Sequence, residues 1–191
     1  SFNDIIKIYD ENPHVKEMML TGGSPTMHAA LINEITHFAH ERNIIVTIET
    51  EGSAFVETDY PLNLISLSPK FSNSVPVIGA ITPAGKVVNQ KFIDIHNRKR
   101  LNTEAIKKMI EFHSDYHYKP VWDGTKGNLK EIEDYRIELG IPKDKTYIMP
   151  AGDTRESLIK MYPLVFDLCA EVGYNMTGRD HIIAFDTQRG V

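Results

Sequence analysis

Apolar runs of strand length alternate with helically spaced apolar positions along the whole chain. This alternation is typical of βα units arranged around a parallel sheet. It predicts an α/β fold, specifically a partial (β/α) barrel of about six parallel strands, with function at the carboxyl ends of the strands. A doubly wound open sheet would give a similar pattern. The predicted strands are 15–20, 43–49, 62–67, 118–122, 146–149 and His181–Phe185, in a single domain of residues 1–191.

Capping residues and apolar spacing predict the helices between these strands. Ser24 is the expected cap of the helix that begins at Pro25, and Asn128 with Glu131 resembles a capping box. No helix is predicted between Phe71 and Leu101, which is the expected insertion, with a turn at Pro83-Ala84-Gly85. The other predicted helices run from Ser1 to Tyr9, from Thr103 to about His113, and from about Thr154 to Val172 with Asp153 and Glu156 at its start.

Composition narrows the class of protein. The 191 residues are 41% hydrophobic and 25% charged, which excludes a disordered chain. The net charge of −5 argues against a surface that binds nucleic acid or anionic membranes over the whole protein. No run approaches the ~20 apolar residues of a membrane span, so a soluble, cytoplasmic protein is expected. The single cysteine, Cys169, excludes an internal disulfide and a multi-thiolate metal site within these residues, and it is predicted to be buried.

The sharpest local feature is the turn Thr21-Gly22-Gly23-Ser24-Pro25, between a predicted strand and a predicted helix. Its glycines can present backbone N–H and C=O groups to a ligand beside a helix terminus. A phosphate, a carboxylate or an amino-acid group would fit, and a purely structural turn is the alternative reading.

Polar residues also lie at the end of the next strand and after the third. Glu49 could accept hydrogen bonds from ribose hydroxyls or a ligand amine, or could make a structural bond, whereas Glu51 is expected to face solvent. Ser68-Pro69-Lys70 places an ammonium group after the third strand, suited to a carboxylate ligand or to Schiff-base chemistry, unless Lys70 is only a surface lysine.

Histidines are the remaining candidates. His181, beside Arg179 and Asp180, could be a base, a ligand donor or a structurally satisfied residue. The pairs His37/His40 and His113/His117 have helical spacing but lack an acidic third ligand, so they are interpreted as surface or core residues.

Six segments in this order resemble the 7-carboxy-7-deazaguanine synthase family, radical S-adenosylmethionine (SAM) enzymes of queuosine and deazaguanine biosynthesis. The segments are LTGGSP, IETEGS, LSPK, YIMPAGDT, RDHIIAF and the terminal RGV, and the resemblance covers nearly the whole chain. The run from His96 to Asn102 also looks like the family's H-x-x-x-R-x-N stretch.

The resemblance implies roles for individual residues, although it assigns no catalytic residue. Thr21, His181 and the carboxylate of Val191 would contact the substrate. Ser24 stands where the family usually has Glu. The implied SAM contacts are Gly22, Gly23, Ser24, Glu49, Ser68, Lys70 and Met149.

The same resemblance implies a reaction and partners. The enzyme would be a carbon–nitrogen lyase that converts 6-carboxy-5,6,7,8-tetrahydropterin to 7-carboxy-7-deazaguanine and releases ammonia, after reductive cleavage of SAM to a 5′-deoxyadenosyl radical. It would use a [4Fe–4S] cluster, magnesium and a reductase such as flavodoxin as electron donor, and it would form a homodimer. Nucleic acid and membrane are not expected as direct partners.

The main departure from the family is the missing C-x-x-x-C-x-x-C type loop. Without these thiolates no cluster can be held, so no metal ligand is assigned in this chain. We expect a preceding segment, on the order of fifty residues, to carry the cluster and magnesium ligands; a naturally cysteine-free homologue is the alternative. Two other functions stay open, a phosphate-binding barrel isomerase or aldolase using Lys70, and a non-catalytic SAM-binding module.

Overall fold

The computed structural model describes residues 2–82 and 85–188, which form two compact units. The first unit contains the chain up to Leu67 together with Glu104–Tyr116, and the second contains Ser68–Thr103 and the chain from His117 onward. The single domain expected from the sequence stays a prediction.

Helices and strands alternate through most of the described residues. Three short 3-10 turns lie at Pro25–Met27, Ser72–Ser74 and Lys143–Lys145. The helices are α1 (Phe2–Glu11), α2 (Ala29–Arg42), α3 (Gln90–Lys99), α4 (Thr103–Phe112), α5 (Lys126–Glu138), α6 (Arg155–Val172) and α7 (Asp180–Phe185). The strands are β1 (Glu17–Leu20), β2 (Ile45–Thr50), β3 (Leu64–Leu67), β4 (Tyr116–Tyr118), β5 (Val121–Trp122), β6 (Tyr147–Pro150) and β7 (Asn175–Met176).

One sheet has the strand order β1-β2-β3-β4, and its parallel strands β1, β2 and β3 lie in the first unit. Leu20 lies opposite Ile48, and Thr50 lies opposite Leu67, so β1, β2 and β3 end close to one another. The apolar face of α2 packs against this sheet, because its periodic residues need an apolar partner. The buried side chains here include Ile32, Ile35, Phe38, Val46, Ile48, Ile65, Ile106 and Met109.

The second unit contains the parallel order β5-β6-β7, with Val121 opposite Met149 and Tyr147 opposite Asn175. Helix α6 packs on β6 through buried residues that include Leu158. The predicted α/β class with parallel strands is therefore confirmed, in described sheets of four and three strands. The partial barrel of six strands stays a prediction.

Several predictions of secondary structure are wrong. The expected strand 118–122 is interrupted at Lys119-Pro120, which separates β4 from β5, and β7 was not expected. The expected closing strand His181–Phe185 is the helix α7, in which the N–H groups of Ile182 and Ile183 bond to the Arg179 carbonyl. A short apolar run does not distinguish a strand from a helix turn. Helix α3 lies in the segment where no helix was expected. None of its residues is buried, and Asn89 caps its start.

Helix starts also differ from their expected positions. Ser24 precedes only a 3-10 turn and makes no capping bond, and α2 begins after His28. The cap of α5 is Thr125, and Asn128 supplies the N–H group that Thr125 accepts. The capping box of α6 is formed by Thr154 and Ser157 rather than by Asp153 and Glu156. The side chains of Thr125 and Thr154 accept N–H groups of their helices from extended backbone, whereas Ser24 and His28 make no side-chain capping bond.

The expected turn of the insertion lies partly outside the described residues, because Pro83 and Ala84 are not among them. On either side, Ile81 and Val87 form an antiparallel bridge, and the Thr82 N–H bonds to the Lys86 carbonyl at 2.8 Å.

Candidate functional site

The turn after β1 is shaped by two glycines in left-handed conformations. Gly22 has φ +88° and Gly23 has φ +60°. A Cβ atom added to either would meet no atom within 4 Å, so the turn is open and glycine is needed for its torsions rather than for space. Backbone groups at this turn are accessible to a ligand.

The parallel register brings the ends of β1 and β2 together at this turn. The Thr21 hydroxyl donates a hydrogen bond to the Glu49 carboxylate, with 3.0 Å between Oγ1 and Oε2. Glu49 is half-buried and Thr21 is exposed. The structure therefore places two of the predicted contact residues, 28 positions apart in sequence, side by side.

Glu51 does not face solvent as expected. Its carboxylate is half-buried and accepts hydrogen bonds from the Ser24 hydroxyl at 2.6 Å and the Ser53 hydroxyl at 2.5 Å. The expectation is wrong because it treated Glu51 within its own segment, whereas one of its partners comes from the glycine turn. The sequence signal that could have identified it is its position two residues after Glu49.

The loop after β2 is packed closely against α4. Gly52 has φ +80°, and its N–H donates to the Thr50 hydroxyl at 3.1 Å. A Cβ atom at Gly52 would lie 2.6 Å from Cγ1 of Ile106. Both backbone conformation and space thus require glycine here, which holds the loop that carries Glu51.

The second unit contains a cavity of about 440 Å³ with charged walls. Lys70 and Arg179 supply positive charge, Asp123 and Asp153 supply negative charge, and Gly152 also lines the cavity. Such a mixed lining suits a polar ligand that carries both a carboxylate and cationic or amide groups.

Arg179 connects two sequence motifs at this cavity. Its Nη1 donates to the Gly152 carbonyl at 2.5 Å, and its backbone N–H donates to the Tyr162 hydroxyl at 3.2 Å. The loop that follows β6 at Gly152 and the residue that precedes α7, Arg179, are therefore in direct contact. The sequence assigns Arg179 no role of its own, because the two segments are 27 positions apart along the chain.

The other predicted contact residues lie in varied environments. Ser68 is half-buried, and Met149 is half-buried within β6 with its N–H bonded to the Pro120 carbonyl at 2.9 Å. His181 is exposed on α7. Val191 lies outside the described residues. The roles assigned to all of these residues stay predictions.

Two histidines outside the cavity have structural roles. His113 is buried, and its Nδ1 accepts the Leu62 N–H at 3.1 Å. Burial lowers its pKa to about 4. His37 lies near the surface with its Nε2 2.6 Å from a carboxylate oxygen of Asp59. Both agree with the interpretation of these residues as core or surface histidines.

Cys169 is buried as predicted, and burial raises the pKa of its thiol. Its Sγ donates to the Asn175 carbonyl at 3.3 Å. Within residues 2–82 and 85–188, no group of three or more His, Cys, Asp or Glu side chains is arranged to hold a metal ion. Across the same residues, no helix has the length and apolar character required to cross a membrane.

Comparison with known proteins gives two curated relatives. The chain is 31% identical over 176 residues to the 7-carboxy-7-deazaguanine synthase of Rhodopirellula baltica, and the aligned region covers 92% of this chain and 64% of that protein. It is 26% identical over 191 residues to the 7-carboxy-7-deazaguanine synthase of Halobacterium salinarum, covering 95% of this chain and 70% of that protein. The chain thus spans less than two thirds of the first relative's length. No protein-family model matches it.

Proposed function

We propose that this chain, a homologue of the 7-carboxy-7-deazaguanine synthases, is the SAM- and substrate-binding part of a radical SAM carbon–nitrogen lyase. The reaction would convert 6-carboxy-5,6,7,8-tetrahydropterin to 7-carboxy-7-deazaguanine with release of ammonia. The observation that carries the proposal is similarity over 92% and 95% of the chain to two synthases of that name. The fold we propose is a partial (β/α) barrel of about six parallel strands.

Residues at the carboxyl ends of β1 and β2 suit the amino-acid end of SAM. An α-ammonium group needs oxygen acceptors, which the backbone carbonyls of Gly22 and Gly23 and the carboxylate of Glu49 would provide. Ser24 replaces the Glu usual in the family, but its bond to Glu51 brings another carboxylate to the same turn. The substitution therefore does not remove negative charge from this turn.

The second unit supports the remaining contacts of the proposal. Lys70 and Arg179 on the cavity lining would pair with carboxylates of SAM or of the pterin acid. We assign Ser68, Lys70 and Met149 to SAM, and Thr21, His181 and the Val191 carboxylate to the substrate. When bound, SAM supplies the radical that starts the ring contraction, while the residues of this chain bind and orient the reactants.

The residues present do not fit a [4Fe–4S] cluster. The chain has one cysteine, and its buried thiol has a raised pKa and bonds to a backbone carbonyl. We propose that the cluster thiolates and the magnesium contacts lie outside these 191 residues, and we derive no step through either group. A reductase such as flavodoxin, a homodimeric assembly and a cytoplasmic location complete the proposal.

The test uses the protein translated from its complete reading frame. After anaerobic iron–sulfur reconstitution, turnover of the pterin acid in the presence of SAM and dithionite is followed by mass spectrometry of the deazaguanine product. Product is expected with the wild type, and Lys70→Ala is expected to raise the KM for SAM. A reconstituted protein that binds SAM and yields no product would contradict the proposal. A borohydride-trapped adduct at Lys70 would instead favour Schiff-base chemistry.

A further inference from the structure

The segment Pro69–Ser74 forms one wall of the cavity in the second unit. Five of its six residues line the cavity, among them Lys70 and Asn73. Phe71 is only 1% exposed, and a 3-10 turn at Ser72–Ser74 ends the segment. A wall made of loop rather than of strand depends on side-chain anchors for its position.

Glu131 on α5 is the main anchor of this wall. Its carboxylate accepts the Ser72 N–H at 3.0 Å and the Ser72 hydroxyl at 2.6 Å. It also accepts a hydrogen bond from Nη1 of Arg100 at 2.8 Å. Although burial alone raises the pKa of Glu131, the bonds from Ser72 and Arg100 outweigh burial and hold it below its usual value. The carboxylate is therefore ionised at neutral pH.

Arg100, at the end of α3, extends the anchor to Lys70. The same Nη1 atom lies 3.3 Å from the Lys70 carbonyl, to which it donates. The side chains of Arg100 and Glu131 are only 19% and 24% exposed, so their ion pair is partly shielded from water and salt. One ion pair thus holds the backbone at Lys70 and at Ser72.

A second tie lies one residue further along. Nδ2 of Asn73 donates to the Val121 carbonyl and to Oδ1 of Asn128, both at 3.2 Å. Asn128 is buried, and it also accepts the Asp123 N–H. The wall is therefore attached to helix α5 and to strand β5 at successive positions.

We propose that Glu131 and Arg100 are positioning residues that set Lys70 at the cavity wall for ligand binding. The inference rests on the proposed function, in which Lys70 contacts SAM. The neutral variant Glu131→Gln keeps an acceptor for Ser72 and removes the charge that orients Arg100. Its effect should appear in ligand affinity, because a wall displaced by a fraction of an ångström no longer presents the ammonium group correctly.

The same helix offers a matched control. Lys130 and Asp134 form an ion pair at 2.6 Å, but their side chains are 75% and 62% exposed. Exposed pairs of this kind contribute little to stability. Asp134→Asn therefore removes an ion pair from α5 without touching the wall.

The experiment measures SAM affinity by calorimetry, KM and kcat in the reconstituted full-length enzyme, and amide hydrogen exchange of the peptide covering residues 69–75. Glu131→Gln is expected to accelerate exchange in that peptide and to raise both Kd and KM for SAM about tenfold, with kcat changed less than about threefold. Asp134→Asn is expected to change none of these quantities.

Two results with Glu131→Gln would contradict the proposed positioning role. Unchanged exchange in Glu131→Gln would show that Glu131 does not hold the wall. Faster exchange with unchanged Kd and KM would assign Glu131 a purely structural role. Both results overturn the proposal while leaving the proposed function intact. A wild-type enzyme that fails to bind SAM would overturn the proposed function and this inference with it.

Discussion

Protonation of His113 should make the protein less stable in mildly acidic solution. The ring is 8% exposed, and its Nδ1 accepts the Leu62 N–H, so a proton on Nδ1 would break that bond and place a charge in the core. Burial lowers the pKa of His113 from 6.5 to about 4 in the folded protein. In the unfolded chain the ordinary value of about 6.5 is restored.

The direction of the pH effect on stability follows from how many protons each state binds. Between pH 4 and pH 6.5 the unfolded state binds more protons at this position than the folded state, so stability falls as the pH is lowered. The contribution of the neutral ring is fully present above the unfolded pKa and is lost as the pH falls toward the folded pKa. For a shift of this size the loss between pH 7.5 and pH 5.5 is about 1.4 kcal/mol.

The assay is urea denaturation followed by far-UV circular dichroism at these two pH values. In His113→Asn, an amide oxygen can accept the Leu62 N–H without titrating in this range. The variant should be less stable at pH 7.5 because ring volume is lost, but its additional loss at pH 5.5 should be smaller than the wild-type loss by about 1.4 kcal/mol. The exposed residue His14, changed to Asn, serves as the control. Equal losses of stability in wild type and His113→Asn on acidification would show that His113 does not titrate in the core in this range.

Three further changes test local geometry. In urea titration, Gly52→Ala should lower the free energy of unfolding by at least about 2 kcal/mol, since strain at positive φ adds to the clash with Ile106. The control Gly140→Ala has φ +68° and open space, so it should lower the same free energy by about 1 kcal/mol. Thr154→Ala should cost about 1 kcal/mol through loss of the α6 cap, with Thr154→Ser near wild type in thermal denaturation. Ser24→Ala should weaken SAM binding about threefold by calorimetry because Glu51 loses a donor, and an unchanged Kd would remove Glu51 from the site.

Much of the architecture was predictable because apolar spacing is a local property. The apolar runs VKEMML and NIIVTIE predict β1 and β2. In parallel βα units the carboxyl ends of neighbouring strands lie at one edge of the sheet, which agrees with the contact between Thr21 and Glu49. Helix α3 was not predicted, and none of its residues is buried. The run from His181 to Phe185 was misread because a few consecutive apolar residues fit either a strand or a helix.

Local patterning was enough to predict the α/β class, the glycine turn after β1 and the burial of Cys169, since backbone torsions and apolar patterning are encoded within a few residues. Which polar groups meet depends on the fold. Ser24 with Glu51, Gly152 with Arg179, and Glu131 with Ser72 and Arg100 are each separated by 27 or more positions. The physical reason is that hydrogen bonds and ion pairs act over a few ångströms in space, and distance along the chain carries no information about them until the chain has folded.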